Sequence, residues 1–138
     1  MSNLKQKTRF PARVYVKKAF IAAVVSSVLN AIVFGIGSLI GAIPEGTVIS
    51  GSSQPFSVAQ VIFASAVGSI LGILVFWMIG KLKVFVTISI AILILSMGTP
   101  FTIPESPMPF TVSLLIMHLI AGVVTITVAS VNKSNSAK

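Results

Sequence analysis

The sequence predicts an all-α protein, a membrane-embedded bundle of four helices. The mean hydropathy is +1.05. Charged residues make up 9% of the 138 residues, whereas about 25% is usual in soluble domains. The charges are also clustered, so that four long apolar tracts lie between them. Because a helix needs about 20 apolar residues to cross the hydrocarbon core of a bilayer, we interpret these tracts as transmembrane spans.

The spans divide the chain into a basic N-terminal segment, a membrane domain and a short tail. The segment covers 1–18, the spans about 19–42, 58–80, 84–99 and 110–131, and the tail 132–138. The third span is short, about 24 Å as a helix, and we expect Lys83 to extend it by placing its amine in the interface. A cleaved signal peptide is the alternative for the N-terminus. The first apolar run exceeds the roughly 7 to 15 residues of a signal core, which favours a span.

The distribution of basic residues predicts the orientation of the spans. All ten lie before the first span, between the second and third, or after the fourth: Lys5, Lys7, Arg9, Arg13, Lys17, Lys18, Lys81, Lys83, Lys133 and Lys138. The other two loops contain the only acids, Glu45 and Glu105. Because Lys and Arg near span ends stay on the cytoplasmic side, we expect both termini to be cytoplasmic. Glu45 and Glu105 are then candidate acidic residues of the outer face.

The two acidic loops resemble each other. Residues 43–46 read IPEG and 103–106 read IPES, while 55–58 read PFSV and 109–112 read PFTV. This repetition predicts two tandem helical hairpins related by a pseudo-twofold axis along the membrane normal. Convergence is the alternative, since Pro, Gly, Ser and Phe are common where hairpins turn at an interface.

Small residues recur at helical spacing in the first two spans. The members of this pattern are Ala23, Ser27, Ala31 and Gly35 in the first span and Ala64, Gly68 and Gly72 in the second. Helices in lipid associate by close packing of small residues. We therefore expect these faces to contact each other or a neighbouring subunit. A hinge or a pore lining is the alternative interpretation.

Two polar residues lie deep within predicted spans, Asn30 in the first and His118 in the fourth. Their distances from the span ends place them within one or two helical turns of the same depth. An ionisable side chain within a membrane is a functional candidate, and a His can titrate near neutral pH. The structural alternative is a neutral His118 that makes one hydrogen bond, for example to Asn30.

Two stretches carry a resemblance to a known family. The stretch GSILGILVFWMIGKLK (68–83) and, above all, LLIMHLIAGVV (114–124) resemble small bacterial four-span membrane proteins that are known only as a domain of unknown function. This resemblance implies a multi-pass protein of the bacterial cytoplasmic (inner) membrane and implies no activity. The Lys- and Ile-rich composition and the Ser-rich first outer loop depart from the family pattern.

The composition excludes several classes of function. The chain has no Cys or Asp, two Glu and one His, which leaves no ligand set for zinc, no disulfide frame and no carboxylate pair. We expect no enzyme activity, no cofactor, no metal and no nucleic-acid partner. The predicted function is helix association in the lipid bilayer, as a homo-oligomer or as an accessory subunit of a larger complex. The alternative is a small transporter or channel with His118 and Asn30 in or near the pathway.

Overall fold

Four long helices form the fold in a computed structural model, which describes residues 11–49, 54–103 and 106–131. The helices are α1 (Ala12–Leu39), α2 (Val58–Ile79), α3 (Leu82–Ser96) and α4 (Met108–Ser130). A short 3-10 helix, Thr99–Thr102, continues from α3. Each of the four helical segments is long and apolar enough to cross a membrane. The all-α four-helix prediction is therefore confirmed.

The helices begin and end at positions that hydropathy alone does not determine. Helix α1 begins at Ala12, seven residues before the predicted span, because a helix can continue through the interface as long as its backbone remains hydrogen-bonded. Helix α3 begins at Leu82, so that Lys83 extends the third span as expected. Helix α4 begins at Met108, with Pro109 in its first turn, where a missing N–H costs no helical hydrogen bond.

The helices pack unequally. Helix α1 lies along α2 and α4, while α3 packs against α2 and α4 and has more limited contacts. Phe85 is the single buried residue of the described α3. The bundle is thus built on α1, α2 and α4, with α3 on the outside.

Apolar clusters close the two ends of the bundle. The basic end is the end that carries Arg13, Lys17, Lys18, Lys81 and Lys83, and its buried cluster is Tyr15, Ala22, Ile73, Phe85 and Ala129. The loop end is the end that carries residues 40–49 and 54–57, and its buried cluster is Ile43, Val61, Phe110, Leu114 and Met117. Edge-to-face aromatic contacts occur in both, with ring centroids 5.7 Å apart for Tyr15 and Phe76 and 5.5 Å apart for Phe56 and Phe110. Most of the buried polar side chains lie between these two clusters: Ser26, Ser27, Asn30, Ser65, Ser69 and Thr125.

Lys18 is a buried basic residue that connects the first helix to the last. Its side chain is 8% exposed, and its Nζ donates a hydrogen bond to the carbonyl of Ala129 at 2.6 Å. Nζ also lies 5.4 Å from the ring centre of Phe76. Carbonyls in the last turn of a helix lack helical partners and favour a cation. Lys18 therefore caps the C-terminal end of α4.

The two hairpins run in the same direction but differ in packing. The first connection contains a β-bridge between Val48 and Pro55, whereas the second contains the 3-10 helix. Helices α1 and α2 are in extensive contact, and α3 and α4 are not. Glu45 is exposed in a turn of the first connection, and Glu105 lies outside the described residues. The repeated loop sequences therefore do not produce two equally packed hairpins.

Candidate binding cavity

A layer of hydroxyl groups joins α1, α2 and α4 in the middle of the bundle. The Oγ atoms of Ser26 and Ser69 are 2.7 Å apart, and Thr125 Oγ1 lies 3.3 Å from Ser69 Oγ. Ser26 also approaches the Ser65 carbonyl at 3.3 Å. All four residues are buried. Hydrogen bonds of this kind between helices stabilise bundles in lipid by about 1 kcal/mol each.

Asn30 connects the same three helices one turn closer to the loop end. It is 2% exposed, and its Nδ2 donates to Ser65 Oγ at 2.8 Å and to the Met117 carbonyl at 3.1 Å. A carbonyl can only accept, so the contact with Met117 assigns the amide orientation. The amide oxygen Oδ1 is buried and has no hydrogen-bond partner among the described residues. A buried acceptor without a hydrogen-bond donor lowers the stability of a fold by about 1 to 3 kcal/mol.

His118 follows Met117 and therefore lies at the level of Asn30. Its Nδ1 is 2.8 Å from the Leu114 carbonyl, one turn earlier on α4. Since a carbonyl only accepts, Nδ1 donates, and in the neutral ring Nε2 is left as an acceptor. The side chain is half-buried. The structure thus brings Asn30 and His118 to one level of the bundle.

A cleft of about 850 Å³ lies between α2, α3 and α4, and both Asn30 and His118 line it. Its wall is mainly apolar, and the described residues that line it include no Asp, Glu, Lys or Arg. Along α2 it extends from Gln60 to Val75, a length of about 22 Å. Sites for small molecules are typically clefts of about 300 to 1,000 Å³ with apolar walls and a few polar groups. This cleft has those properties.

The small residues of α2 lie on the cleft wall. Ala64, Gly68 and Gly72 all line it, whereas the contact of α2 with α1 uses the neighbouring Ser65 and Ser69. A Cβ at Gly68 would meet no atom within 4 Å, but one at Gly72 would lie 2.7 Å from Thr125 Cγ2. Gly68 therefore creates space, and Gly72 allows close approach of α2 and α4.

The small residues of α1 divide into two pairs. Ala23 and Ser27 are buried, and Ser27 donates to the Ile62 carbonyl on α2 at 3.1 Å. Ala31 and Gly35 are half-buried, and a Cβ at Gly35 would meet no atom within 4 Å. The first pair serves the α1–α2 contact. Gly35 has open space around it within the chain.

The sequence reasoning missed Ser26, Thr125 and the buried contact of Lys18. A signal existed for the hydroxyl layer, since Ala22, Ser26 and Asn30 recur every four residues, as do Ser65 and Ser69. Such rows of small polar residues are typical of helix contacts in membranes. The cleft has no comparable signal, because it depends on where α3 packs.

Comparison with known proteins assigns the chain to a family but does not indicate an activity. No curated protein and no solved structure gives a significant match to the chain. The model of a family of unknown function, DUF6069, matches residues 10–134, which include all four helices, and it confirms the resemblance to a domain of unknown function. The chain with this four-helix fold and this cleft belongs to the DUF6069 family.

Proposed function

We propose that the protein is a non-enzymatic multi-pass membrane protein that binds a small, mainly apolar molecule within the bilayer, as a carrier or small transporter. The observation that supports this proposal is the apolar cleft with Asn30 and His118 on its wall. Of the two functions that the sequence suggests, this one explains why α2 presents Ala64 and Gly68 to a cleft. Packing against α1 would instead require those residues at the α1–α2 contact.

The chemistry of the cleft favours binding over catalysis. Among the described residues of the wall, no carboxylate is present to orient the ring of His118. The hydrogen bond of His118 is made to a backbone carbonyl of its own helix. General acid–base catalysis usually combines such a His with an orienting group and a nucleophile. The wall residues do not combine these groups.

Filling the cleft should abolish binding without unfolding the protein. We expect Gly68→Phe to weaken binding of the apolar probe 4-nonylanisole at least about tenfold, since a Cβ there meets open space and the ring would occupy the probe's volume. The measurement is the probe-dependent rise of the unfolding midpoint in phosphatidylcholine nanodiscs. Val67→Phe is the matched control, because Val67 is 37% exposed and is not on the wall. Equal binding to both variants would refute the proposal.

We also propose that the basic end faces the cytoplasm of a bacterial cell. The basic residues of that end and the acidic residue Glu45 at the loop end support this orientation under the positive-inside tendency. The chain has no native cysteine, so single cysteines report topology directly. In intact cells an impermeant thiol reagent should label Glu45→Cys and leave Lys81→Cys unlabelled. The reverse labelling would contradict the orientation.

A second candidate function is association, as a homo-oligomer or within a larger membrane complex. The specific observation is Gly35, which has open space around it within the chain although it sits on a row of small residues. A second helix could approach closely at this point. We expect the native mass in mild detergent to exceed one 14.5 kDa subunit, and Gly35→Leu to reduce it to one. A single-subunit mass for the unmodified protein would exclude the homo-oligomer.

A further inference from the structure

About one third of the way along the cleft from the loop end, the side chains of Asn30 and His118 carry hydrogen-bond acceptors. The ring proton of neutral His118 is donated to the Leu114 carbonyl, which leaves Nε2 to accept. The amide of Asn30 donates to Ser65 and Met117, and its buried Oδ1 has no partner among the described residues. A molecule that pairs with Nε2 of His118 or with Oδ1 of Asn30 must therefore supply a proton.

Hydroxyl groups elsewhere on the wall strengthen this acceptor character. Ser96 donates to the Leu93 carbonyl at 2.8 Å, Thr99 to the Ser96 carbonyl at 2.7 Å and Thr125 to the Ala121 carbonyl at 2.8 Å. Each of these hydroxyls has used its one proton on the backbone, so its oxygen is left to accept. A ligand that offered only acceptors would find no donor at these three hydroxyls.

The ligand must also be uncharged. The described part of the wall contains no Asp, Glu, Lys or Arg, so neither an ammonium nor a carboxylate would find an opposite charge there. A charge without a partner is costly to place within a hydrocarbon layer. An uncharged hydroxyl is a donor that avoids this cost.

The shape of the cleft favours an elongated molecule with the hydroxyl at one end of a long apolar part. Ser65 lies at the level of Asn30, and along α2 the cleft extends from Gln60 to Val75. The level of Asn30 and His118 is thus about 8 Å from the Gln60 end of the cleft and about 15 Å from the Val75 end. The longer part of the cleft runs toward the basic end and is lined by apolar residues such as Leu71 and Ile126.

We infer that the cleft takes an uncharged, elongated apolar molecule that carries a hydroxyl group, and that this hydroxyl donates its proton to Nε2 of His118. The inference rests on the proposed function, because it requires the cleft to be a binding site. It narrows the ligand to long-chain or ring-bearing alcohols and phenols.

The test compares 4-nonylphenol with its methyl ether, 4-nonylanisole, which has the same apolar body and lacks the donor. In phosphatidylcholine nanodiscs we expect the phenol to bind the unmodified protein about tenfold more tightly, as judged from the probe-dependent unfolding midpoint. In His118→Phe the two probes should bind alike within about twofold, because the ring bulk is kept and the acceptor is lost. The His118 bond is internal to α4, so this variant leaves the contacts between helices in place.

The outcomes separate the inference from the proposed function. Equal affinities for the two probes in the unmodified protein would overturn the inference and indicate an occupant that resembles a plain acyl chain. A preference for the phenol that survives in His118→Phe would also overturn it. If Gly68→Phe binds both probes as well as the unmodified protein does, the cleft is not the binding site and the proposed function itself fails.

Discussion

Replacing Gly72 by Leu should destabilise the bundle by about 2 to 3 kcal/mol, the usual cost of overpacking a filled contact. A Cβ at this position would lie 2.7 Å from Thr125 Cγ2. Thr125 cannot easily move away, because its side chain is β-branched and its Oγ1 donates to the Ala121 carbonyl at 2.8 Å. The larger side chain must therefore separate α2 from α4. The effect is measurable as a loss of unfolding free energy in mixed micelles.

Two comparisons make this prediction specific. Gly68→Leu introduces the same side chain one turn away, where a Cβ meets no atom within 4 Å, and should change stability by less than about 0.5 kcal/mol. Thr125→Ser keeps the hydroxyl and removes Cγ2, so it should relieve most of the cost of Gly72→Ala in a double-mutant cycle. Equal effects of Leu at Gly68 and Gly72, or no coupling between Gly72 and Thr125, would contradict the close contact.

Replacing Lys18 by Glu should cost about 3 kcal/mol, the size expected when a buried charge loses its partner. The variant loses the 2.6 Å hydrogen bond from Nζ to the Ala129 carbonyl and the cation above the Phe76 ring. It also places a carboxylate beside the carbonyls that end α4, where an anion is unfavourable. We expect the contact between the first and last helices at the basic end to open.

Lys17→Glu is the matched control for this effect. Lys17 is exposed, and its replacement changes the net charge of the N-terminal segment by the same amount. Any effect of charge on membrane insertion is therefore the same in both variants. The difference in unfolding free energy between Lys18→Glu and Lys17→Glu then measures the buried contact of Lys18 with Ala129. If the two variants are equally stable, Lys18 does not connect α1 to α4.

Much of the fold was predictable because hydropathy and charge act locally. A tract of about 20 apolar residues has few alternatives to a membrane helix, so the number of helices and their approximate positions follow from residues 19–131 alone. Lys83 lies near the start of its predicted span, and the third helix does extend past it to Leu82. The depths of Asn30 and His118 were also predictable, because the rise of a helix per residue is constant.

The choice of helix faces was decided only by the tertiary structure. Nearly every residue of a membrane helix is compatible with lipid, so hydropathy does not distinguish the side of α2 that meets α1 from the side that meets the cleft. Hydrogen bonds with α1 hold the side of α2 that carries Ser65 and Ser69 against α1. Gly68 then lies on the cleft wall. Lys18 and Ala129 are 111 residues apart in the chain. Their contact, like the cleft itself, exists only once four helices have packed, because each depends on the distance between helices and not on the residues of any one of them.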